Sequence, residues 1–406
     1  MDDILENITK NLTNLKEFTS TPGSGVTRLP FTNEAKKACD YLKKEMESIG
    51  LETRIDSTGA IIGKLKGEKD ESILIGSHYD SVENGGAFDG IAGIVCGIEV
   101  VKIFLKQNIK PKYTLEVIGT NDEEGARFKS GFFSSKAMLG ELDKNEIDKL
   151  HDKNGVTIYE AMKDYGLNPE NISDAKRDIE NIKAFIEIHI EQGRVLESHE
   201  KHIGIVDTIV GMKRGIITVT GREDHAGTTP MNIRFDAVEM ASKIISNISD
   251  IARKYENSVA TVGAINVTPN TINTIAKIVK FSLDIRSTNK NIVDCIFEEI
   301  IDISERVVNK YKGSFSYENT LYVEPVDMNR DIRKYIEDSC NTRKISYEHI
   351  NSGAGHDSLQ IGKKIDTAMI FVPSKDGRSH CSEEFTDYNY LKEATLIAFD
   401  AINKIN

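Results

Sequence analysis

Apolar residues in the first third of the chain follow two different spacings. Across residues 33–49 they recur at helical spacing, and the glycine that follows ends the run. Short runs rich in isoleucine and valine predict strands at 59–65, 72–80 and 114–120, and a longer apolar stretch predicts a helix over 90–107. Because strands and helices alternate, this region predicts an α/β fold with a doubly wound, mostly parallel sheet.

The pattern changes after residue 210, where strands and helices follow in the order β-α-β-β-α-β. This order is typical of a ferredoxin-like sandwich. Its predicted elements are a strand at 212–221, a helix at 232–255, strands at 258–268 and 275–287, a helix at 290–311 and a strand at 314–326. We therefore predict a large domain formed by residues 1–210 and 326–406, with an α+β ferredoxin-like domain, residues 211–325, inserted into it.

Composition and charge narrow the class of partner. The 406 residues carry a formal net charge of -12 with no compensating basic block, which argues against nucleic acid or a membrane and favours a small-molecule substrate. The amino terminus lacks the pattern of a signal peptide, and no apolar run approaches bilayer length, so we expect a cytoplasmic protein. The five cysteines are scattered without a CxxC pair, so any metal must be held by histidine and carboxylate.

Two segments near the first strands carry candidate chemistry. His78 and Asp80 end the strand at 72–80 on the same face, where the carboxylate could fix the tautomer of the imidazole and leave its other nitrogen for a metal. A histidine near a strand end is, however, more often a satisfied polar residue than a ligand. Asp89 follows in a glycine-rich loop that opens a helix, and for this residue alone an N-capping role is the stronger interpretation.

Three later segments place acidic or imidazole side chains in or directly after strands. Asp122, Glu123 and Glu124 form either an exposed acidic turn or a pair of glutamates that divide metal binding and proton transfer between them. His189 lies in an otherwise apolar strand, and His380 follows another strand near the carboxyl terminus. Each of these residues taken separately could be structural.

The joint pattern favours a metal centre. Four strand-to-loop junctions each deliver a histidine or a carboxylate to the carboxyl edge of one sheet, where open α/β folds bind ligands. Three imidazoles and two carboxylates suit Zn²⁺ and, less tightly, Mn²⁺, Co²⁺ or Ni²⁺. A bridging aspartate would give each of two metals three protein ligands.

A series of short motifs, read in order, resembles one enzyme family. The motifs are HYD, NGGAFDG, NDEEGARF, HIEQG, DHAGTTPM, DIRS, GAGHDS and SHCSEEF, and the resemblance extends from about Val26 to Phe385. Together they are similar to the ureidohydrolase branch of the aminoacylase and carboxypeptidase-type metallohydrolases. That branch contains N-carbamoyl-L-amino acid hydrolases, β-ureidopropionases, allantoate amidohydrolases and ureidoglycolate amidohydrolases.

The resemblance implies two divalent metal ions per subunit, Zn²⁺ or Mn²⁺, with Co²⁺ or Ni²⁺ as alternatives. It makes His78 and His189 ligands of one metal. It makes Glu124 and His380 ligands of the other, with Asp89 as the bridge between the two ions.

The resemblance also implies roles in catalysis and substrate binding. Glu123 matches the general base, Asp80 matches the residue that positions His78, and His225 of the smaller domain would stabilise the oxyanion. Residues at substrate-contacting positions are Gln192, Asn273, Arg286 and His356. Arg286 could equally be an ordinary surface residue, but its planar guanidinium suits a substrate carboxylate.

The implied activity is hydrolysis of the ureido group of an N-carbamoyl-L-amino acid to the amine, carbon dioxide and ammonia. The implied assembly is a homodimer whose smaller domain serves as lid and dimerisation surface. Allantoate amidohydrolase is the first alternative, because it shares nearly all of these residues. A dipeptidase or aminoacylase is the second, and His189 disfavours it because the peptidase branches commonly have a carboxylate there. A non-catalytic binding protein would be expected to lack a ligand or the base, and the sequence keeps them all.

Overall fold

The structure is a computed structural model that describes residues 2–142 and 144–405. The chain divides into two units by its internal contacts. The larger unit combines the chain up to Asp207 with the chain from Asp327 onward, and the smaller unit is Thr208–Val326.

Helices and strands alternate through most of the chain. The helices are α1 (Asp2–Lys16), α2 (Asn33–Ser48), α3 (Ile91–Lys106), α4 (Phe133–Leu139), α5 (Lys144–Lys149), α6 (Ile158–Tyr165), α7 (Val195–Ser198), α8 (Ala237–Ala252), α9 (Lys290–Lys310), α10 (Arg330–Arg343), α11 (Asp357–Ile361) and α12 (Tyr388–Ile405). The strands are β1 (Glu52–Ile55), β2 (Ile61–Leu65), β3 (Lys69–His78), β4 (Tyr113–Thr120), β5 (Ile182–Ile190), β6 (Ile203–Ile209), β7 (Gly211–Thr220), β8 (Asp224–His225), β9 (Ser258–Thr261), β10 (Ile265–Thr268), β11 (Thr274–Ile275), β12 (Ile278–Ser287), β13 (Ser314–Val323), β14 (Val326–Asp327), β15 (Tyr347–Ser352) and β16 (Thr367–Val372). Among the described residues, no helix combines the length and the apolar composition needed to cross a bilayer.

A single sheet forms the centre of the larger unit. Within the described residues it has nine strands in the order β1-β2-β4-β3-β5-β16-β6-β14, with β15 paired to β6. The central strands β4, β3, β5 and β16 are parallel, whereas β1, β2 and β6 pair with their neighbours in antiparallel fashion. Strands β4, β5 and β16 are buried almost throughout, as expected for parallel strands that are covered on both faces. The prediction of an α/β fold with a mostly parallel centre is confirmed.

Helices pack on both faces of this sheet. Side chains alternate between the two faces along a strand. Ile73 and Ile75 of β3 therefore face the main core, which also contains residues of α1, α3 and α12. Leu74 faces a second, smaller core with Met138 of α4 and Ile361 of α11.

The sequence pattern did not predict several elements of the larger unit, among them α1, β6 and β15. Helix α1 buries Ile4, Ile8, Leu12 and Leu15, which recur at helical spacing but are separated by many polar residues. Strand β15 is partly exposed along most of its length and lacks an apolar run. Strand β6 is rich in isoleucine and valine, a local signal that the sequence analysis missed, whereas β15 is held in place by its pairing with β6, a strand distant in sequence.

The smaller unit is an antiparallel sheet with helices on one face. Its strand order is β10-β12-β7-β13, and β9 also pairs with β12. Burial alternates along β7 and β12, and the buried face packs against α8 and α9. The strand predicted at 258–268 is divided into β9 and β10, because the main-chain N–H groups of Gly263 and Ala264 donate to the hydroxyl of Ser282 instead of continuing the ladder.

Candidate metal centre

Asp89 lies at the centre of a group of imidazole and carboxylate side chains. Its Oδ1 is 3.3 Å from Nε2 of His78 and 3.1 Å from Nε2 of His189. Its Oδ2 is 3.4 Å from Nε2 of His380, and that nitrogen is 3.5 Å from Oε1 of Glu124. The two oxygens of one carboxylate therefore face two different sets of nitrogen and oxygen donors.

Three overlapping groups of side chains could each hold a metal ion, because the ligand atoms of each group lie within 4.8 Å of one another. The first is His78, Asp89 and His189, and the third is Asp89, Glu124 and His380. These contain the same residues as the two ligand sets implied by the sequence motifs. The second group adds Glu123 to His78 and Glu124, so the residue expected to act as base lies beside both sets.

Strand ends and one glycine explain how these side chains come together. His78 is the last residue of β3 and His189 lies near the end of β5, and these strands run parallel, so both residues reach the same edge of the sheet. Gly90 follows Asp89, and a Cβ atom there would come within 2.4 Å of the His78 ring. Gly90 is also the N-cap of α3, which has no side-chain capping bond, so the N-capping interpretation of Asp89 is wrong.

The two buried histidines direct their Nε2 atoms toward Asp89. Nδ1 of His78 donates to the main-chain oxygen of Asp80 at 3.1 Å, and Nδ1 of His189 donates to that of Ile190 at 2.9 Å. Nε2 of His189 also accepts from the main-chain N–H of Gly90 at 3.2 Å. A carbonyl partner on Nδ1 leaves the lone pair on Nε2, which is the form that binds a metal.

Asp80 organises both His78 and the loop that carries the two glutamates. Its Oδ1 accepts from the main-chain N–H of Glu123 at 3.1 Å, and its Oδ2 accepts from that of Glu124 at 3.3 Å. The carboxylate is 3.7 Å from Nδ1 of His78, which is beyond hydrogen-bond distance. The sequence motifs implied that this carboxylate positions His78, whereas in the structure the main-chain oxygen does so and the carboxylate fixes the glutamates.

In the described part of the larger unit, buried carboxyl groups greatly outnumber buried lysine and arginine side chains. Among the described residues, Arg28 is the only buried lysine or arginine. Close to Asp89 or to the residues that contact it, the buried carboxyl groups are Asp80, Asp122, Glu123, Glu187, Asp357 and Glu384. Removing this much negative charge from water costs free energy unless cations compensate for it.

The pKa values of the cluster show strong coupling between its acids and imidazoles. Burial opposes ionisation of Asp89, but His189, His380 and His78 together hold its pKa well below the usual range. Burial likewise works against charging His78, and the carboxylates of Glu123 and Asp89 nevertheless raise its pKa well above the usual value. The carboxylates and the imidazoles therefore each stabilise the charged form of the other.

The pKa values of His380, Glu124 and Glu123 are also shifted by burial and by neighbouring charges. The hydrogen bond to Asp89 is the largest cause that raises the pKa of His380, to about 9. Burial, followed by the charge of Asp89, raises the pKa of Glu124 to about 7. Burial raises the pKa of Glu123 well above the usual value, and the neighbouring Glu124 adds to this effect.

Two buried oxygen atoms of the cluster, Oδ1 of Asp89 and Oε1 of Glu124, have no hydrogen-bond partner. A buried polar atom without a partner is costly, and both atoms face imidazole nitrogens that can supply lone pairs. Together with the excess of buried carboxylates, they fit divalent cations held by mixed nitrogen and oxygen ligands.

Backbone conformation also marks this edge of the sheet. Asp122, Gln192 and His380 adopt positive φ angles of 60°, 59° and 56°. This left-handed conformation is unfavourable for residues other than glycine and persists where the surrounding structure holds it, often at functional sites.

Of the predicted substrate residues in the larger unit, Gln192 and His356 both lie beside the cluster. Nε2 of Gln192 donates to Oδ2 of Asp89 at 2.7 Å, and its buried Oε1 has no partner. The His356 ring centroid is 4.4 Å from that of His189, and Nε2 of His356 is 3.1 Å from Oγ of Ser352. Burial and then the neighbouring His189 hold the pKa of His356 well below its usual value, so this ring is neutral.

His225 and Asn273 lie next to each other in the smaller unit. His225 pairs with Thr274 across the β8–β11 ribbon. Its Nδ1 accepts from the main-chain N–H groups of Gly227 at 3.1 Å and Thr228 at 3.2 Å. The ring proton is therefore on Nε2, and His225 can donate from that atom.

Arg286 of the smaller unit is held by an aspartate that the sequence analysis did not single out. Nε and Nη2 of Arg286 donate to the two carboxylate oxygens of Asp284 at 2.9 and 3.0 Å. Nε of Arg214 donates to Asp284 as well, at 2.7 Å. The DIRS motif contains both Asp284 and Arg286, and their spacing of two along a strand was the available signal that they share a face.

Two further buried acids were also missed. Glu187 of β5 accepts from the hydroxyls of Ser77 at 2.7 Å and Ser358 at 2.6 Å. Asp357, which follows His356, accepts from the hydroxyls of Thr120 and Ser135. Glu187 could have been recognised as a buried acid because it lies inside the otherwise apolar strand β5. Asp357 could not, because its partners come from segments that are distant in sequence.

Comparison with known proteins gives these residues a family context. The model of peptidase family M20/M25/M40 matches residues 74–404. The chain is 36% identical over 404 residues to N-carbamoyl-L-amino-acid amidohydrolase of Paenarthrobacter aurescens, covering 99% of this chain and 98% of the relative. It is 34% identical over 382 residues to allantoate amidohydrolase of Escherichia coli (strain K12), covering 93% and 92%. An amidase of the hydantoinase/carbamoylase family from Burkholderia multivorans has a similar structure, with a TM-score of 0.91, 28% identity and coverage of 99% of this chain and 97% of that chain.

Proposed function

Because this chain belongs to peptidase family M20/M25/M40, we propose that it is a metal-dependent amidohydrolase that cleaves the ureido group of an N-carbamoyl-L-amino acid or a similar ureido acid. The observation that carries the proposal is the carboxylate of Asp89, whose two oxygens face His78 and His189 on one side and His380 on the other. The names of the similar proteins supply the reaction class.

We assign two divalent ions, Zn²⁺ or Mn²⁺, to this centre. His78, His189 and Asp89 would hold one ion, and Asp89, Glu124 and His380 would hold the other. When bound, the ions supply Lewis acid chemistry, which lowers the pKa of a water molecule and polarises the carbonyl group of the substrate.

Glu123 moves the protons in the proposed reaction. It is buried, and its raised pKa suits a group that accepts a proton from the attacking water and then releases it. The oxygen of that water bonds to the carbamoyl carbon, the bond from this carbon to the nitrogen of the amino acid breaks, and Glu123 gives the proton to that nitrogen. The carbamate that is formed decomposes to carbon dioxide and ammonia.

The remaining residues hold the substrate and the developing charge. His225 donates from Nε2 to the oxyanion, for which its tautomer is already set by Gly227 and Thr228. Arg286 and Asn273 bind the substrate carboxylate. The substrate groups next to the metals would be bound by Gln192, through its unpartnered Oε1, and by His356.

Product analysis with the metal-reconstituted enzyme tests this proposal. The panel consists of N-carbamoyl-L-amino acids, N-carbamoyl-β-alanine, allantoate, ureidoglycolate, N-acetyl amino acids and dipeptides. If kcat/KM is highest for an N-carbamoyl-L-amino acid, the result supports the first candidate, an N-carbamoyl-L-amino acid hydrolase. Preference for allantoate supports the second candidate, which is favoured by the similarity to the Escherichia coli enzyme. Turnover of dipeptides or N-acetyl amino acids alone would contradict both.

Metal affinity is expected to fall as the pH is lowered from about 9 through about 7. His380, with a pKa of about 9, and Glu124, with a pKa of about 7, must lose their protons before they can bind a cation. These protons are absent when the metal is bound. The metal affinity is therefore highest at a pH above the pKa values of the metal-free protein, and it decreases as the pH falls through them. Calorimetric titration in buffers of different ionisation enthalpy measures the affinity and the protons released.

A His380→Asn variant is the control for this measurement. At pH 8 it should release about one proton fewer than the wild type, because His380 carries a proton there in the metal-free protein. An affinity that does not change between pH 9 and pH 7 would contradict the assignment of His380 and Glu124 as ligands.

We also propose that the protein is a homodimer formed through its smaller unit. Strand β10 lies at the edge of that sheet, and Val259 of β9 and Ile265 of β10 are 56% and 55% exposed. An edge strand with exposed apolar side chains is a template for pairing with another chain. In the dimer, His225, Asn273 and Arg286 would serve the metal centre of the partner subunit.

Mixing inactive subunits tests this arrangement. If Arg286 acts across the dimer, equal amounts of Glu123→Gln and Arg286→Ala subunits should recover about a quarter of wild-type activity, because half of randomly paired dimers are mixed and each has one intact site. A mixture of Glu123→Gln with Asp89→Asn subunits is the control and should recover none. No recovery in the first mixture, despite demonstrated subunit exchange, would place Arg286 within its own subunit.

A further inference from the structure

Glu384 is a buried acid that contacts the loop bearing Asp89 from a segment almost 300 residues away. Its side chain is 5% exposed. Oε1 of Glu384 accepts from the main-chain N–H groups of both Phe88 and Asp89, each at 3.0 Å. Its carboxylate therefore fixes the backbone at the residue on which both proposed metal sites depend.

Ser379 extends this contact to the side chain of Asp89. Its Oγ is 2.8 Å from Oε2 of Glu384 and 2.9 Å from Oδ2 of Asp89. His380 follows Ser379 directly, so the segment that provides one proposed metal ligand also holds the bridging one. Oδ1 of Asp89 has no hydrogen-bond partner and stays available to a cation.

We propose that Glu384 and Ser379 are positioning residues that brace Asp89 in its bridging orientation. A bridging carboxylate must present one oxygen to each ion, and rotation of the Asp89 side chain would withdraw at least one of them. The brace restricts this rotation through two main-chain bonds and one side-chain bond, and it ties the Asp89 loop to the His380 loop. Outer residues of this kind commonly change metal affinity by about 10- to 100-fold when removed.

Local sequence is adapted to this contact. A Cβ atom at Gly86 would lie 2.0 Å from the carboxyl group of Glu384, so a larger residue there could not coexist with the brace. The adjacent Glu383 is exposed and pairs with Arg378 at 3.1 Å. Two consecutive glutamates thus differ sharply in environment, and Glu383 provides a matched control.

Metal binding to the full-length protein tests the brace without reference to any substrate. Five metal-free proteins would be titrated with Co²⁺, whose binding is monitored by its absorption spectrum, and with Zn²⁺ in competition with a chelator. They are the wild type and the variants Glu384→Ala, Glu384→Gln, Ser379→Ala and Glu383→Gln. Glu384→Ala should lose at least about tenfold in affinity for one or both ions. Glu384→Gln should stay within about threefold of wild type, because its amide oxygen can still accept from both N–H groups. The metal affinity should be lower than that of the wild type in Ser379→Ala and unchanged in Glu383→Gln.

Several outcomes overturn the proposal. Wild-type affinity and spectrum in Glu384→Ala would show that Asp89 needs no brace, and equal losses in Glu384→Gln and Glu384→Ala would show that these hydrogen bonds are not the cause. If Glu384→Ala does not fold, as judged by circular dichroism, Ser379→Ala decides, and unchanged affinity in that variant refutes the brace. The inference rests on the proposed metal centre and not on the substrate, so wild-type protein that binds no metal would refute both, whereas an unexpected substrate would leave the brace standing.

Discussion

Replacement of Glu123 by glutamine is expected to reduce kcat by about three orders of magnitude while both metal ions remain bound. Glutamine has the shape of glutamate but cannot accept the proton of the attacking water. The main-chain N–H of Glu123 would still donate to Asp80, so the loop should keep its position. Steady-state kinetics together with metal analysis of the purified variant measures both parts of the expectation.

The neighbouring Glu124→Gln variant is the matched control. Oε1 of Glu124 is 3.5 Å from His380 and belongs to the proposed ligand set, whereas Oε2 of Glu123 is 3.8 Å from His78. Glu124→Gln should therefore lose activity together with metal, and excess metal should restore part of it. A Glu123→Gln enzyme that keeps most of its kcat would exclude Glu123 as the general base, and one that loses both metals would make it a ligand.

Replacement of Asp89 by asparagine is expected to weaken both metal sites by more than about 100-fold and to abolish activity. An asparagine side chain has one oxygen and one NH₂ group, so it cannot give a negatively charged oxygen to each of two ions. No other described carboxylate belongs to both the group with His189 and the group with His380. Titration of the metal-free variant with Zn²⁺, in competition with a chelator, measures the loss at each site.

Asp122→Asn is the corresponding control, because Asp122 is also buried and its carboxyl oxygens have no hydrogen-bond partner. Burial raises the pKa of Asp122 well above its usual value and so disfavours its charged form, and an amide should therefore replace it with little effect. The bridging role of Asp89 would be wrong if Asp89→Asn bound two ions with wild-type affinity, or if it lost one ion and kept the other unchanged.

Sequence reasoning succeeded where strand direction alone determines position. His78 and His189 end or nearly end parallel strands, and an apolar run followed by a polar side chain was enough to bring them to one edge of the sheet. Asp89 was harder to place, because a loop aspartate before a helix is usually a cap. Its position beside the histidines depends on Gly90, which allows the close approach to His78.

Contacts that join distant segments could not be predicted from local pattern. Glu384 reaches the backbone of Asp89 across 295 residues of sequence. The carboxylate of Asp80 binds the backbone of the glutamate loop rather than the nearby histidine ring, and this follows from the packing of two loops. Asp284 fixes the guanidinium of Arg286, a pairing that its position in the motif permitted but did not require.

The proposed ureidohydrolase activity is best tested by the ratio of the products that the metal-reconstituted protein releases from a ureido acid. The proposed reaction predicts equal amounts of amine and ammonia from the preferred ureido acid, no product from the metal-free protein, and almost none from the Glu123→Gln variant with metals bound. Amine released from dipeptides or N-acetyl amino acids, with no ammonia from any ureido acid, would contradict it.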